Sequence, residues 1–259
     1  METVNNIKAI LIDLEGVLYN DNKLIPGSIE VIKELKKNRI KLRFLTNTTT
    51  APIKKILNKL HNFGFKIEEK EIFTPIIATK NFLIQNNINK ISLFVNNQIV
   101  NEFKEYEITQ KDPAVVIIGD IHKKFNWEIL DIVFKLVYLN KTKLIALHKN
   151  KYCMREGKIS LDLGPFVNAV EYASGKKSML MGKPEKKFFN LAIKDLEEDN
   201  KNILMIGDDI ISDIEGSIKA NLKAVQVRTG KFQEKDLRNP LQPNYRIESI
   251  TKLPKLIGL

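Results

Sequence analysis

The sequence predicts an α/β protein: a Rossmann-like core on a parallel sheet, interrupted by an inserted α/β cap domain. Three observations carry that expectation. Apolar, strand-like runs at residues 7–14, 40–45, 202–206 and 223–227 alternate with segments of helical periodicity, the pattern of a parallel sheet covered by helices. Several of these runs end in polar or glycine-containing turns, where open α/β sheets place their ligands. Residues 76–177 carry strand-like and helical segments of their own, so 1–75 and 178–259 are read as one core on either side of an insertion.

In chain order, the first run leads Asp13 into the acidic turn Glu15-Gly16. Residues 26–38 place Ile29, Ile32 and Leu35 on one helical face, and residues 52–63 do the same with Ile53, Ile56, Leu57 and Leu60, with Gly64 as the C-terminal cap. Thr74-Pro75 reads as an N-cap followed by an N1 proline, opening a helix toward Asn87. In the insertion, strand-like runs at 91–95, 114–118 and 144–147 accompany a helical stretch at 125–140, which Phe125, Trp127 and Tyr138 are expected to pack. Leu163-Gly164-Pro165-Phe166 reads as a helix start, and the connections near Thr74-Pro75 and Ser174-Gly175 are the candidate hinges.

The chain is expected to re-enter the core at Ser178 with the run 178–181. A helix over 185–196 then packs through Phe188, Phe189, Ala192 and Ile193. Residues 223–227 are the last expected strand. Arg228-Thr229-Gly230-Lys231 reads as a turn near the core with no phosphate-binding role, and the tail 237–259 completes the fold or docks on it.

Four strand ends present, in order, a carboxylate (Asp13), a hydroxyl (Thr46, beside Asn47), an ammonium (Lys183 in Gly182-Lys183-Pro184) and a carboxylate cluster (Asp208, Asp209 and Asp213). Each has a plainer reading on its own: a solvated turn, an N-cap, a surface lysine, an acidic helix start. The order of all four along the chain is specific.

That ordered set resembles the haloacid dehalogenase superfamily, in particular the large-cap branch, subfamily IIA. The details lie closest to its phosphatases of phospholysine, phosphohistidine and pyrophosphate and to related hydrolases. The match runs nearly the whole chain and includes Pro26-Gly27, Thr46-Asn47, Leu163-Gly164-Pro165-Phe166 and Gly182-Lys183-Pro184-Glu185. The resemblance implies a phosphatase in which Asp13 attacks phosphorus and becomes an aspartyl phosphate. It implies Mg²⁺ held by Asp13, Asp208 and the backbone carbonyl of Glu15, a cation suited to oxygen ligands. Lys183, Thr46 and Asn47 would contact the phosphate, Asp213 would orient Lys183 or a metal-bound water, and Asp209 would support the acidic loop. The cap would cover the nucleophile and select a small phosphorylated substrate, and the resemblance also implies a homodimer formed through it.

Glu15 departs from the family pattern, in which the residue two after the nucleophile is usually aspartate acting as general acid and base. Glutamate keeps the chemistry but adds a methylene, and misplacement by about 1 Å costs about 100-fold. The expectation is that Glu15 still serves as acid and base. The alternatives are a phospholigand-binding regulatory protein with weak or lost turnover, and a phosphotransferase.

Composition limits the field. The 259 residues include 43% hydrophobic types, and no apolar run is long enough for a bilayer span. The opening residues do not resemble a signal peptide, so the expected location is the cytoplasm. One cysteine, Cys153, excludes an intrachain disulfide and a multi-cysteine zinc site; it is expected to be packed or partly exposed. The three histidines, His61, His122 and His148, lack metal-ligand spacing and are expected at the surface or partly packed. The charge of +11 is spread over short lysine pairs without interleaved aromatic residues, so no specific nucleic-acid binding and no membrane partner are expected. A positive field would speed the arrival of phosphorylated substrates.

Overall fold

The computed structural model describes residues 3–155 and 158–259, so Met1 and Glu2 of the opening segment lie outside the described residues. Its contacts divide the chain into two compact units. One comprises Met1–Thr46, Ile53–Phe73 and Lys183–Leu259; the other comprises Asn47–Pro52 and Thr74–Gly182.

The first unit is built on a six-stranded parallel sheet in the order Tyr245–Ile247, Lys223–Val227, Ile203–Gly207, Ala9–Asp13, Lys41–Leu45, Ile72–Phe73. Ala9–Asp13 is central and every residue in it is buried, which explains a continuous Ala-Ile-Leu-Ile run in place of alternation. Helix Ser28–Lys37 buries Val31, Ile32 and Leu35, and helix Ile53–Asn62 buries Ile53, Ile56 and Leu60, spaced three and four residues apart as one helical face requires. Helix Lys186–Ile193 adds Phe188, Phe189 and Ala192 to the core. The last strand is not Lys223–Val227 as expected. Tyr245–Ile247 pairs beyond it, and Leu253 and Leu256 of the tail are buried. Three residues at a sheet edge are too few to show a period in sequence.

The second unit carries its own parallel sheet, Met179–Leu180, Lys143–Ala146, Val115–Ile118, Lys90–Phe94, Glu107–Ile108, and a hairpin of Tyr152–Arg155 with Lys158–Leu161. Helix Pro75–Gln85 has Thr74 as its N-cap, with Thr74 Oγ1 accepting from the Ile77 amide at 3.3 Å. Helices Trp127–Tyr138 and Leu163–Ser174 pack Val133, Val137, Leu163, Val167 and Val170 against Val116 and Ile118.

Three expectations need correction here. Met179–Leu180 was assigned to the returning core, yet it hydrogen-bonds to Lys143–Ala146, so the second unit extends to Gly182. The Ser174-Gly175 connection therefore lies inside that unit. Phe125 does pack, stacking on Phe166 at 3.9 Å between ring centroids, but Trp127 is 73% exposed and Tyr138 53% exposed, because the buried stripe of their helix is Val133, Leu136 and Val137. His148 is not at the surface: it is 4% exposed, with Nδ1 3.0 Å from Thr49 Oγ1 and Nε2 2.8 Å from Asp162 Oδ1.

Glu171 fastens the end of the second unit. Its buried carboxylate accepts from Ser178 Oγ at 2.6 Å, the Ser178 amide at 3.0 Å, Lys149 Nζ at 3.0 Å and Lys177 Nζ at 3.2 Å. Burial opposes its ionisation, but these donors outweigh it and bring its pKa from 4.5 down to about 2. A carboxylate depressed on folding stabilises the protein above its unfolded pKa and loses that contribution as pH falls toward the folded value. Glu171→Gln is therefore expected to lower stability by about 1–3 kcal/mol at pH 7. In urea melts, the gap between parent and variant should narrow steadily below pH 4.5; a gap that stays constant with pH contradicts the assignment.

Candidate active site

The register of the first sheet sets the site. Asp13 is the last residue of the central strand and pairs with Leu45, while Ile12 pairs with Ile206. Thr46 and Gly207-Asp208 therefore emerge beside Asp13 at the carboxyl edge of the sheet, the end at which α/β sheets bind ligands. Thr46 is buried, and its amide donates to Phe73 O at 3.2 Å.

Lys183 is the centre of the charge arrangement. It is buried, and its ammonium donates to Asp13 Oδ1 at 2.5 Å and to Asp213 Oδ1 at 2.6 Å. Burial works against the charge on Lys183, but Asp13 and Asp213 outweigh it and push its pKa up. Asp213 Oδ2 also accepts from the Asp209 amide at 3.2 Å.

Asp13, Asp208 and Asp213 bring one carboxylate oxygen each to within 4.8 Å of one another, and all three are buried. When ionised they carry three negative charges against the single ammonium of Lys183, an excess of two. Burial first, and then the charge of Asp13, push the carboxyls of Asp208 and Asp213 above the usual carboxylate range. Asp208 Oδ1 is buried with no hydrogen-bond partner among the described residues, while its Oδ2 accepts from the Lys231 amide at 2.7 Å. An oxygen-only donor set, two charges in excess and an unpartnered carboxylate oxygen together fit a divalent cation such as Mg²⁺, with Asp13 and Asp208 as the side chains that would hold it.

Other site residues sit differently. Asp209 caps the helical turn Ile210–Glu215, accepting from the Ile211 and Ser212 amides at 3.0 Å each, and pairs with Lys231 Nζ at 3.3 Å. Burial would raise its pKa, but Lys231 and those amides lower it. Glu15 lies on the turn after Asp13 but outside the carboxylate cluster; its Oε1 accepts from the Asp21 amide at 2.5 Å, and partial desolvation raises its pKa. Asn47 groups with the second unit, where a Cβ added to Gly182 would stand 2.8 Å from its Oδ1.

Sequence reading missed one group. Thr229 Oγ1 donates to Gly16 O, and Gln226 Nε2 donates to Asp208 O at 3.2 Å. Gly16 and Gly230 have φ of +87° and +66°, and a Cβ on either would stand 2.1 Å from Asp208 Oδ2. Both positions thus require glycine twice over, by backbone conformation and by space. The available signal was Gln226, a buried polar residue inside the apolar strand Lys223–Val227.

A haloacid dehalogenase-like hydrolase model matches residues 10–109, and a second hydrolase-like model of the same class matches 180–253. A mouse haloacid dehalogenase-like hydrolase domain-containing protein 2 is 36% identical over 92% of this chain and 91% of its own length. The chain belongs to the haloacid dehalogenase-like hydrolases. The phospholysine phosphohistidine inorganic pyrophosphate phosphatase of Xenopus laevis is 35% identical over 91% of this chain and 88% of its own. Among solved structures, a mutant of the thermostable p-nitrophenylphosphatase from Bacillus stearothermophilus superposes with a TM-score of 0.82 at 26% identity, covering 95% of this chain and 97% of that one. The 4-nitrophenylphosphatase of Thermotoga maritima shares the fold, with a TM-score of 0.89 over 97% and 98% of the two chains at 24% identity. This haloacid dehalogenase-like protein is accordingly an enzyme, a phosphohydrolase of that type, and among its described residues no helix is long and apolar enough to cross a membrane.

Removing one partner of a buried ion pair leaves the other charge uncompensated. Lys183→Met should destabilise the chelator-treated protein by about 3–5 kcal/mol. Adding Asp213→Asn in the same chain should recover part of that loss. Additive single-variant effects in denaturant melts would contradict the coupling of Lys183 and Asp213.

Proposed function

We propose that the protein is a Mg²⁺-dependent phosphatase that hydrolyses a small phosphorylated substrate, a phosphomonoester, pyrophosphate or phosphoramidate, through an aspartyl phosphate on Asp13. The observation that carries this reading is Asp13 held by the buried Lys183 ammonium within an acidic cluster, shared with Asp208 and Asp213, in which one oxygen of Asp208 is unpartnered. Asp13 and Asp208 would hold a divalent cation, which when bound would supply the positive charge that lets a carboxylate approach a phosphate dianion.

The chain's own residues divide the remaining work. Lys183 holds one oxygen of Asp13, fixing the rotamer of the nucleophile, and supplies fixed positive charge toward the phosphoryl oxygens. Asp213 holds Lys183 from the other side. Asp13 forms a bond to phosphorus as the bond to the leaving oxygen or nitrogen breaks. Glu15 gives its proton to that leaving atom. In the second half, water attacks the same phosphorus, its proton passes to Glu15, and the Asp13 carboxylate and inorganic phosphate are released. The raised pKa of Glu15 suits a residue that must carry a proton in one half-reaction and take one in the other. The hydroxyl of Thr46 is assigned to the phosphoryl oxygens.

One observation favours a second reading. Glu15 Oε1 is engaged by the Asp21 amide, and a glutamate held there is a poor proton donor until that bond is released. A phospholigand-binding protein with weak turnover follows from that arrangement.

Phosphate release from a panel of phosphomonoesters, pyrophosphate and phosphoramidates separates the two. The phosphatase reading expects release that requires Mg²⁺, is absent in Asp13→Asn, and falls by about 100-fold or more in Glu15→Gln. Saturable ligand binding without release from any compound supports the second reading. An unchanged rate in Glu15→Gln removes the acid and base role from Glu15.

A further inference from the structure

We propose that the loop Thr229-Gly230-Lys231 is a positioning element that presents a single oxygen of Asp208 to the divalent cation and ties that ligand to the turn after the nucleophile. This rests on the Mg²⁺ reading above and extends it to residues outside the ordered motif set.

The two oxygens of Asp208 have opposite surroundings. Oδ2 takes the Lys231 amide at 2.7 Å, and Oδ1 is buried with no partner among the described residues. A carboxylate held by one oxygen on a backbone amide cannot rotate without breaking that bond, so the other oxygen keeps a fixed direction. The carbonyl of Asp208 is held as well, by Gln226 Nε2 at 3.2 Å, and Gln226 in turn bonds to Asp236 Oδ2 at 3.2 Å. Asp208 is therefore restrained at the main chain and at one side-chain oxygen, leaving one oxygen for a ligand.

The same loop reaches the nucleophile's turn. The Thr229 hydroxyl donates to Gly16 O, and Gly230 lies so close that an added Cβ would stand 2.5 Å from the Gly16 Cα. Asp13 ends one strand and Asp208 directly follows its neighbour, and the Thr229–Gly16 bond ties the turn after Asp13 to the loop after Lys223–Val227, the same loop whose Lys231 amide holds Asp208. Such outer contacts set the geometry of a metal ligand, and their loss typically costs about 10–100-fold in metal affinity. Lys231 also places its ammonium 3.3 Å from Asp209 and its charge is felt by Asp208, so a substitution that removes the charge but keeps the amide is needed to separate the two.

The test is calorimetric titration of Mg²⁺ alone into the full chain, with thermal unfolding of each chelated variant measured alongside. Lys231→Pro removes the amide donor and Lys231→Ala keeps it. Thr229→Val removes the hydroxyl and Thr229→Ser restores it. The expected result is a Mg²⁺ Kd weakened about tenfold or more in Lys231→Pro and Thr229→Val. Lys231→Ala should bind at least as tightly as the parent, Thr229→Ser should recover parent affinity, and the unfolding temperature of the chelated Thr229→Val protein should stay near the parent's.

Parent-like affinity in both Lys231→Pro and Thr229→Val overturns the proposal. So does a loss in Lys231→Ala equal to that in Lys231→Pro, which would place the effect on the ammonium. If Lys231→Pro does not fold, the Thr229→Val and Thr229→Ser pair decides: weakening with rescue supports the proposal, and parent-like binding in Thr229→Val overturns it. A parent that binds no Mg²⁺ contradicts the metal reading itself, a distinct failure from that of the loop.

Discussion

The buried ammonium of Lys183 is the constraint on which the site depends. Desolvating an ion costs several kcal/mol, and the cost is met only when partners of opposite charge sit at hydrogen-bond distance. Lys183 has two, Asp13 and Asp213, from the first and last segments of the first unit. It thereby joins the central strand, the segment entering the second half of the core and the turn after Ile203–Gly207. Were that charge absent, three buried carboxylates would face one another; with it, the remaining excess matches one divalent cation.

The sheet brings Asp13 and Asp208 together. In a parallel sheet all strands point the same way, so their carboxyl ends collect residues that are far apart in sequence. Asp13 ends one strand and Asp208 directly follows the end of its neighbour, and glycine at positions 16 and 230 lets two loops close on the Asp208 carboxylate. The second unit is held by other means, chiefly an apolar core and two buried polar networks, one around Glu171 and one running from Thr49 through His148 to Asp162.

Much of this was legible in the sequence because parallel strands buried on both faces read as unbroken apolar runs. Ala9–Asp13, Lys41–Leu45 and Ile203–Gly207 could be seen that way, as could the helix starts at Thr74-Pro75 and after Asp162. The ordered carboxylate, hydroxyl, ammonium and acidic cluster could be seen too, because each directly follows such a run. What escaped depends on long-range hydrogen bonds that leave no local period. Tyr245–Ile247 is a strand only because a neighbour pairs with it, and which sheet Met179–Leu180 joins is set by its pairing with Lys143–Ala146. His148 is buried because Thr49, about a hundred residues away, supplies a partner. Lys231 acts on Asp208 through its backbone amide, which every residue but proline possesses, so its side chain carries no trace of that contact.

The central claim is that Asp13 is a nucleophile held in place by Lys183, and the most direct test is to look for phosphate on it. The protein would be mixed with p-nitrophenyl phosphate and Mg²⁺, quenched in acid within milliseconds, and analysed by peptide mass spectrometry. The account predicts a transient phosphoryl group on the peptide containing Asp13, labile to hydroxylamine and absent from Asp13→Asn. Mg²⁺-dependent phosphate release that proceeds with no phosphoryl group on Asp13 at any quench time, and that continues in Asp13→Asn, would contradict it.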